Sequence, residues 1–329
     1  LLASSAASDV YKRQIHYIIL VHKNPEQLCR LVEQLETEQT DFYIHVDRKT
    51  DISPFQEKLS RPNVCFISER VDILWGTISQ VSAVLNCMRE ISRKGEEGHV
   101  ILLSGQDYPL KSNRCIAAFL ETHRTTDFLF HFSLPSDIWP RKGLDRLEAY
   151  RIGLSKTEGK KQVKIEPCAF TLRNFYHFLV LLCHKPAMLP KAIRFFFTKR
   201  KHPSGIKPFG GSFWWGLKLS SVNYILDYLE THPAYWKYHQ YTANPDEIMF
   251  PSILCSAPEI AKNIWNSDLR YIDWGEGKES PRIFTVKDWE TLIRQSELRE
   301  DFLFARKFDL EVDSVLLDQI EERRRETES

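Results

Sequence analysis

The chain has 329 residues, and its 45 lysines and arginines nearly balance its 44 aspartates and glutamates, giving a formal net charge of +1. A hydrophobic fraction of 43% and a charged fraction of 27% are typical of a folded globular protein and exclude a disordered, collagenous or coiled-coil chain. The balanced charge argues against nucleic acid as the main partner, because phosphate binding leaves an excess of basic residues.

The first residues of the chain and its cysteines indicate in which cellular compartment the protein is expected. Residues 1–14 (LLASSAASDVYKRQ) lack the basic start and long apolar core of a signal peptide, and we interpret them as translated adapter or vector sequence outside the fold. No apolar run approaches the ~20 residues that span a bilayer. The seven cysteines show no zinc-ligand spacing, and their scatter favours a reducing, cytoplasmic compartment over export.

From residue 15 the chain alternates short apolar runs with amphipathic segments. The pattern predicts a helix opened by Asn24 as its N-cap, two further helices over 77–93 and 113–122, and strands over 15–21, 42–46, 64–67, 99–103 and 128–132. This alternation is typical of an α/β fold with a mainly parallel sheet flanked by helices. Ligands are expected at the carboxyl ends of such strands.

The chain after residue 133 is less regular. Residues 171–197 predict a helix pair packed on the core, followed by the basic run 198–202. An alternative is a peripheral membrane contact through 194–202, with Phe195, Phe196 and Phe197 inserted into the bilayer. The remaining predicted elements are a strand over 213–219, helices over 220–232 and 245–254, a strand over 269–272, and helices over 286–296 and 312–325.

Two loops that follow predicted strands carry candidate site residues. Asp47 closes the segment His45-Val46-Asp47, where a carboxylate is well placed to meet a bound ribose. The segment 104–110 (SGQDYPL) follows the most apolar strand, and Gly105 in it permits close backbone approach. Asp107 has two interpretations, a functional carboxylate or a side chain that hydrogen-bonds the backbone of a structural turn.

Two later segments are equally open to interpretation. The tryptophans of 209–215 (FGGSFWW) could line a cleft for a sugar ring, although at least one must lie in the core because strand neighbours point to opposite faces. The segment 244–247 (NPDE) fits an N-cap and capping box at a helix start. It also fits a general base at the edge of a cleft.

The order of motifs along the chain resembles a known family. The motifs are HVD at 45–47, W-G-x-x-S at 75–79, SGQDYPL at 104–110, GGSxWW at 210–215, PDE at 245–247, PR-x-F at 281–284 and FARKFD at 304–309. Together they resemble the core-2/I-branching β-1,6-N-acetylglucosaminyltransferases, whose relatives include protein xylosyltransferases, and bacterial members most of all. The resemblance implies a GT-A-like single domain over 15–325, with a nucleotide-binding half (15–132) and an acceptor-binding, catalytic half (133–325).

The resemblance also implies roles for individual residues. Glu247 matches the catalytic base, and Arg282 and Lys307 match the cations that neutralise the UDP leaving group in place of a metal. No cofactor is therefore expected, which agrees with the lack of a D-x-D motif. Asp47 and Val21 match nucleoside-contacting positions. Around the donor and acceptor cleft the implied residues are Trp75, Gly105, Asp107, Ser212, Trp215, Asp246, Arg146 and Tyr150.

The sequence thus predicts a metal-independent, inverting glycosyltransferase. It would transfer N-acetylglucosamine from UDP to a hydroxyl of a glycan or glycolipid acceptor in β linkage, in the cytoplasm and with no nucleic-acid partner. Peripheral contact with the inner face of the membrane through 194–202 remains the open alternative noted above. Two further alternatives are xylosyl transfer from UDP-xylose and a catalytically inactive module that binds sugar nucleotides or glycans.

Overall fold

The computed structural model describes residues 14–95, 97–154, 162–275 and 281–328. The predicted leader over 1–14 lies outside the described residues except for Gln14, which is the first residue of a strand. The strands are β1 Gln14–Val21, β2 Thr40–Val46, β3 Val64–Phe66, β4 Gly98–Ser104, β5 Asp107–Pro109, β6 Asp127–Ser133, β7 Tyr150–Gly153, β8 Gln162–Ile165, β9 Phe209–Lys218, β10 Ile264–Trp265, β11 Arg270–Ile272 and β12 Phe304–Arg306.

Helices occupy most of the remaining described chain. The α-helices are α1 Pro25–Leu35, α2 Ser53–Lys58, α3 Ile78–Lys94, α4 Asn113–Thr122, α5 Leu144–Glu148, α6 Leu172–His184, α7 Leu189–Phe197, α8 Leu219–Thr231, α9 Pro233–His239, α10 Asp246–Cys255, α11 Pro258–Ala261, α12 Trp289–Leu298 and α13 Ser314–Glu328. Short 3₁₀ turns precede three of them, at Pro140–Gly143, Pro186–Met188 and Val286–Asp288.

The central sheet has seven strands in the order β10-β6-β9-β4-β1-β2-β3. β9 runs antiparallel to β4 and β6, while the other neighbours in the sheet run parallel. The predicted α/β class with a mainly parallel sheet is therefore confirmed. A smaller sheet has the order β11-β12-β5, and β7 and β8 form an antiparallel hairpin.

Alternating side chains of β1 contribute to two cores, one on each face of the sheet. Tyr17 and Ile19 pack with residues of α1, α4 and α13 on one face. Ile18 packs with residues of α3, α8 and α10 on the other face. Because both faces are covered, β1 and β4 are apolar along nearly their whole length, as central parallel strands are. The carboxyl ends of these strands are thereby held in fixed positions.

Both asparagines that the sequence predicts as N-caps have another role. Asn24 has a φ of 54°, and its side chain donates to Asp309 Oδ1 at 3.0 Å instead of capping α1. Asn244 has a φ of 47°, and its side chain donates to Glu247 Oε1 at 3.1 Å. The predicted capping box at 244–247 therefore does not form. Asparagine tolerates the left-handed conformation, and here that conformation directs its amide to a carboxylate.

The helix pair predicted over 171–197 is confirmed as α6 and α7, but it packs mainly on the β7–β8 hairpin. The two helices and the hairpin share a small core separate from those of the central sheet. Phe195 and Phe196 are buried in this core, which contradicts their predicted insertion into a membrane, whereas Phe197 is 62% exposed. Within the described ranges, no helix combines the length and the apolar character needed to cross a bilayer.

Replacing Gln27 by leucine should destabilise the fold. The buried Gln27 side chain donates to the carbonyls of Gly105 (2.7 Å) and Phe308 (3.2 Å) and accepts from the Leu310 backbone N–H (2.7 Å). Leucine leaves these groups unpaired, at a cost of about 1–3 kcal/mol for each one that stays buried. We expect urea denaturation to show a loss of at least about 2 kcal/mol. Gln56→Leu, on the exposed face of α2, is the matched control, and equal losses in both variants would contradict this role.

Candidate active site

The carboxyl ends of β1, β2 and β4 bring three predicted residues to one edge of the sheet. Val21 ends β1, and its carbonyl accepts from the Asp47 backbone N–H at 2.8 Å. Gly105 follows β4, and its N–H donates to the Leu20 carbonyl at 3.0 Å. A Cβ on Gly105 would lie 2.8 Å from Val21 Cγ1, so glycine allows the turn after β4 to lie against β1.

The predicted nucleoside-contacting residue, Asp47, already has a partner. Its carboxylate accepts from the backbone N–H of Lys49 at 3.0 Å and from Lys49 Nζ at 3.1 Å. Lys49 Nζ also donates to Asp72 at 2.7 Å and to the Ile73 carbonyl at 2.6 Å. Each carboxylate oxygen has two lone pairs, so Asp47 can accept a further hydroxyl without losing Lys49.

Several cations surround the end of β1. Burial and then Lys23 lower the pKa of His22, Lys307 and Arg306 act in the same direction, and Asp47 opposes them. Lys307 therefore lies near the same edge as Asp47. Among the described residues, no group of three or more His, Cys, Asp or Glu side chains is placed to hold a metal ion. Two of these cations are already in ion pairs, Lys23 with Asp309 and Arg306 with Asp107.

Arg282 is connected to Lys307 through the backbone, since the N–H of Phe284 donates to the Lys307 carbonyl at 2.8 Å. Its guanidinium binds two carboxylates, Asp273 at 2.7 and 3.0 Å and Asp288 at 2.9 Å through two nitrogens. Hydrogen bonds to Asp288 and then to Asp273 raise the pKa of Arg282 above its ordinary value. This trio carries a net negative charge, so Arg282 is not a free anion ligand in this arrangement.

Asp107 is fully buried, so it lies behind the site and not in a cleft wall. Its Oδ2 accepts from the backbone N–H and the hydroxyl of Ser104 at 2.7 and 2.6 Å. Arg270 donates to Oδ1 at 2.6 Å, and Arg306 donates to Oδ2 at 3.2 Å. Burial lowers the pKa of Arg306, and the charge of Asp107 opposes that effect. The structural interpretation of Asp107 is confirmed, with two arginines added to the backbone contact.

The two tryptophans of 209–215 point to opposite faces of β9, as the alternation of a strand requires. Trp215 is fully buried and packs against Phe250, with ring centroids 6.0 Å apart. The prediction that Trp215 lines a cleft is therefore corrected, because it is a core residue. Trp214 is half-buried, and the guanidinium carbons of Arg270 and Arg306 lie 4.9 and 4.7 Å from its ring centroid.

Ser212 joins this buried group through a carboxylate that the sequence did not single out. Its hydroxyl accepts from the backbone N–H of Trp214 at 3.2 Å, and it lies near Asp268, whose pKa it lowers. Burial raises the pKa of Asp268, and the charge of Arg270 opposes that shift. Ser212 is thereby a link between β9 and the start of the smaller sheet.

Glu247 lies in the first turn of α10 and is held on both carboxylate oxygens. Oε1 accepts from Asn244 Nδ2 at 3.1 Å, and Oε2 forms an ion pair with Arg146. The Glu247 side chain is 24% exposed, and each carboxylate oxygen has a lone pair that can accept one more hydrogen bond. The positive end of the helix also stabilises this negative charge. Glu247 is therefore an accessible, oriented carboxylate.

The neighbouring Asp246 has the opposite environment. It is 3% exposed, and its Oδ1 has no hydrogen-bond partner among the described residues. Burial, and next the charge of Glu247, raise the pKa of Asp246 well above its ordinary value. The two adjacent carboxyl groups thus have different surroundings, since Asp246 is buried and Glu247 is partly exposed.

An open cleft of about 500 Å³ lies beside Glu247. Trp75, which is 62% exposed, and Arg146 line it, so the structure brings these two predicted residues together with Glu247. The Arg146 guanidinium carbon lies 3.6 Å from the Trp139 ring centroid. Tyr150 lies apart from them, stacked on a phenylalanine of α7 with centroids 4.0 Å apart. The full lining is Trp75, Pro140, Asp145, Arg146, Arg151, Gln162, Ala243 and Asn244.

The segment 71–76 connects the sheet edge to this cleft. At one end the N–H of Val71 donates to His45 Nε2 at 2.8 Å. At the other end the N–H of Asn244 donates to the Gly76 carbonyl at 3.0 Å. Gly76 has a φ of 71°, and a Cβ there would lie 3.1 Å from Asn244 Oδ1. The two groups of predicted site residues therefore share one short connection.

Four contacting residues are missing from the sequence prediction. Asn244 lies in a segment that the sequence singles out, but its helix-cap signature hides its contact with Glu247. Arg306 lies inside the FARKFD motif, but the resemblance assigns a role in that motif only to the next residue, Lys307. Asp268 and Arg270 have no local signal, because their partners come from distant strands.

The fold and the site define an α/β protein whose candidate ligand groups lie where parallel strands end, the usual place in this class. Residues 15–295 match the Core-2/I-Branching enzyme family, and the chain belongs to that family. The resemblance drawn from the order of motifs is thus confirmed at the level of the family.

The curated relatives include xylosyltransferases. Xylosyltransferase oxt of Drosophila pseudoobscura pseudoobscura is 24% identical over 358 residues, covering 98% of this chain and 34% of that protein. Xylosyltransferase 1 of Homo sapiens is 26% identical over 333 residues, covering 94% and 30% respectively. The chain therefore spans about a third of the length of these relatives. Among solved structures, core-mannan synthase A of Aspergillus fumigatus aligns with 80% of this chain and 74% of that chain at 10% identity, but its TM-score of 0.34 is too low to support an inference.

Replacing His45 by glutamine should reduce the sensitivity of the fold to acid. Burial lowers the pKa of His45 to about 4, from 6.5. A histidine whose pKa is depressed by folding contributes its full stability above pH 6.5 and loses it as the pH falls towards 4. Between about pH 7 and pH 4.5, wild type should therefore lose more stability than His45→Gln, by up to roughly 3 kcal/mol.

Denaturant unfolding at both pH values measures this difference. Glutamine keeps an acceptor for the Val71 N–H, so the variant should still fold. His184→Gln, at an exposed position of α6, is the control and should keep the pH dependence of wild type. The same loss of stability in wild type and in His45→Gln would contradict the prediction.

Proposed function

We propose that this chain is an inverting glycosyltransferase that moves a sugar from UDP to a hydroxyl group of a glycan or glycolipid acceptor in the cytoplasm. The observation that carries the proposal is the position of Glu247, an accessible carboxylate oriented by Arg146 and Asn244 beside an open cleft. Membership of the Core-2/I-Branching enzyme family supports this assignment.

In the proposed reaction Glu247 accepts the proton of the acceptor hydroxyl. The hydroxyl oxygen attacks the anomeric carbon from the side opposite UDP, while the bond from that carbon to the diphosphate oxygen breaks and its electron pair leaves with UDP. Direct displacement inverts the anomeric centre, so an α-linked donor gives a β-glycoside. A positioned general base of this kind contributes about 10²–10⁴-fold to a rate.

Charge on the departing UDP would be stabilised by Lys307, beside the cations at the end of β1. Arg282 is a less direct candidate, because its two carboxylate partners give that trio a net negative charge. It would reach the diphosphate by exchanging one carboxylate for a phosphate oxygen. Fixed side-chain cations in this role make the proposed reaction independent of a divalent metal.

N-acetylglucosamine is the sugar we propose for the donor, from the family to which the chain belongs. Xylose is a second candidate, favoured by the names of the curated relatives. The two UDP-sugars differ in the acetamido group and in the exocyclic carbon, so a direct comparison of donors separates them.

Glu247→Gln should lower turnover by about 10²–10⁴-fold while UDP binding is retained, since the amide keeps the shape of the side chain but cannot accept the proton. Steady-state UDP release measures turnover, and thermal stabilisation by UDP measures binding. Glu259→Gln, at the exposed start of α11, is the matched control and should keep full turnover. Turnover within about twofold of wild type in Glu247→Gln would remove this residue from the mechanism.

A panel of UDP-sugars, assayed in excess EDTA with simple sugar acceptors, should give acceptor-stimulated UDP release with UDP-N-acetylglucosamine. Preference for UDP-xylose would move the assignment to the second candidate. A requirement for added Mn²⁺ would contradict the proposed role of side-chain cations. Stabilisation by UDP without turnover on any donor and acceptor would instead indicate a binding module.

A further inference from the structure

Helix α6 exposes apolar side chains along one face. Leu172, Phe175, Tyr176 and Leu179 follow the i, i+3, i+4, i+7 spacing of a single helical face. Their exposed fractions are 91, 53, 64 and 45%. A surface helix normally turns such a face towards the core of its own protein, so this arrangement calls for an explanation outside the chain.

Helix α7 continues the same surface. Leu189, Ile193 and Phe197 are spaced four residues apart and are all exposed. Phe170, which precedes α6 and is 76% exposed, lies with its ring centroid 6.2 Å from that of Phe197 and so joins the two helices. We define the α6–α7 surface as Phe170, Leu172, Phe175, Tyr176, Leu179, Leu189, Ile193 and Phe197.

The two helices are well packed on the protein, so poor packing does not explain the exposed α6–α7 surface. Their inner sides are buried, since Leu181 of α6 packs with Ala192, Phe195 and Phe196 of α7 against the β7–β8 hairpin. Asn174 anchors the start of α6 by hydrogen bonds of 2.8 Å to the backbone of residue 166. The helices are therefore docked on the protein by one side and present a second apolar side to the outside.

The chain segment that contains the α6–α7 surface is basic. From residue 167 to residue 226 the sequence contains no aspartate or glutamate, although the whole chain is nearly neutral. Most of the basic side chains near the two helices are exposed. The lysines and arginines of this segment are Arg173, Lys185, Lys191, Arg194, Lys199, Arg200, Lys201, Lys207 and Lys218.

We propose that the α6–α7 surface docks on an anionic lipid bilayer. Aromatic and aliphatic side chains would enter the boundary between headgroups and acyl chains, and the surrounding lysines and arginines would lie among anionic headgroups. Each basic residue near such a surface contributes about fivefold to partitioning. An apolar face in a chain segment that has lysines and arginines but no aspartate or glutamate matches a bilayer that is apolar inside and negative outside.

The β7–β8 hairpin relates this surface to the cleft. The hairpin packs against α6 and α7, and its residues Arg151 and Gln162 line the cleft beside Glu247. The β7–β8 hairpin would thus lie between the cleft and a bilayer bound to the α6–α7 surface. A lipid-linked glycan is the acceptor class that fits this geometry, and this last point rests on the proposed function.

Co-sedimentation with vesicles tests the docking without any assay of activity. Vesicles of phosphatidylcholine alone should leave the full chain in the supernatant, and vesicles of phosphatidylcholine mixed with phosphatidylglycerol should pellet it. Added salt should weaken the binding, because it screens the cations. Equal binding to the two compositions, or no binding to the anionic vesicles, would overturn the proposal.

Variants at exposed positions separate the two contributions. Phe175→Ser with Leu179→Ser should weaken partitioning into anionic vesicles by at least about tenfold, and so should Lys191→Glu with Arg194→Glu. Leu298→Ser and Arg124→Glu, which change exposed residues elsewhere, are the matched controls and should bind like wild type. Binding unchanged in both double variants would overturn the proposal. The proposal would also be overturned if wild type did not bind vesicles but self-associated with rising concentration, and if the same variants abolished that self-association.

Discussion

The buried carboxylate of Asp107 is the interaction on which the site depends. It accepts hydrogen bonds from Ser104 at the end of β4 and pairs with Arg270 of β11 and Arg306 of β12. Removing one partner of a buried pair costs about 3–5 kcal/mol, because the remaining charge is left without water. Asp107 thus fixes the smaller sheet against the central one, and Lys307 follows Arg306 directly. The position of the cation proposed to face UDP follows from a carboxylate inside the protein.

The sequence predicted most elements of residues 15–132 because hydrophobic burial acts locally there. Strands buried on both faces, such as β1 and β4, are apolar along their length, and the helices between them carry clear amphipathic spacing. The short strands β5, β10 and β12 escaped prediction, since each pairs with a strand distant in the chain. The β7–β8 hairpin also escaped prediction, although its two strands are neighbours in the chain. The alternation of β9 restricts Trp214 and Trp215 to opposite faces, but burial in three dimensions decides which one is core.

The order of motifs was enough to identify candidate site residues. It was not enough to predict which of them are paired with other side chains or buried. Trp75 lines a cleft together with Arg146 and Asn244, the two residues whose side chains contact Glu247. Arg282 is predicted as a cation for the diphosphate, but Asp273 and Asp288, which are nearby in the chain, both form ion pairs with it. The apolar residues of 194–202 likewise indicate a surface contact, whereas the packing of α6 on α7 determines which phenylalanines are available for it.

The segment 71–76 has a consequence for how two ligands would share one protein. One end is hydrogen-bonded to His45, near Asp47, and the other to Asn244, near Glu247. So short a segment, held at both ends, cannot shift at one end without straining the hydrogen bonds at the other. If a ligand at either place moved this segment, the sheet edge and the cleft would be coupled, and thermodynamic reciprocity would make that coupling equal in both directions.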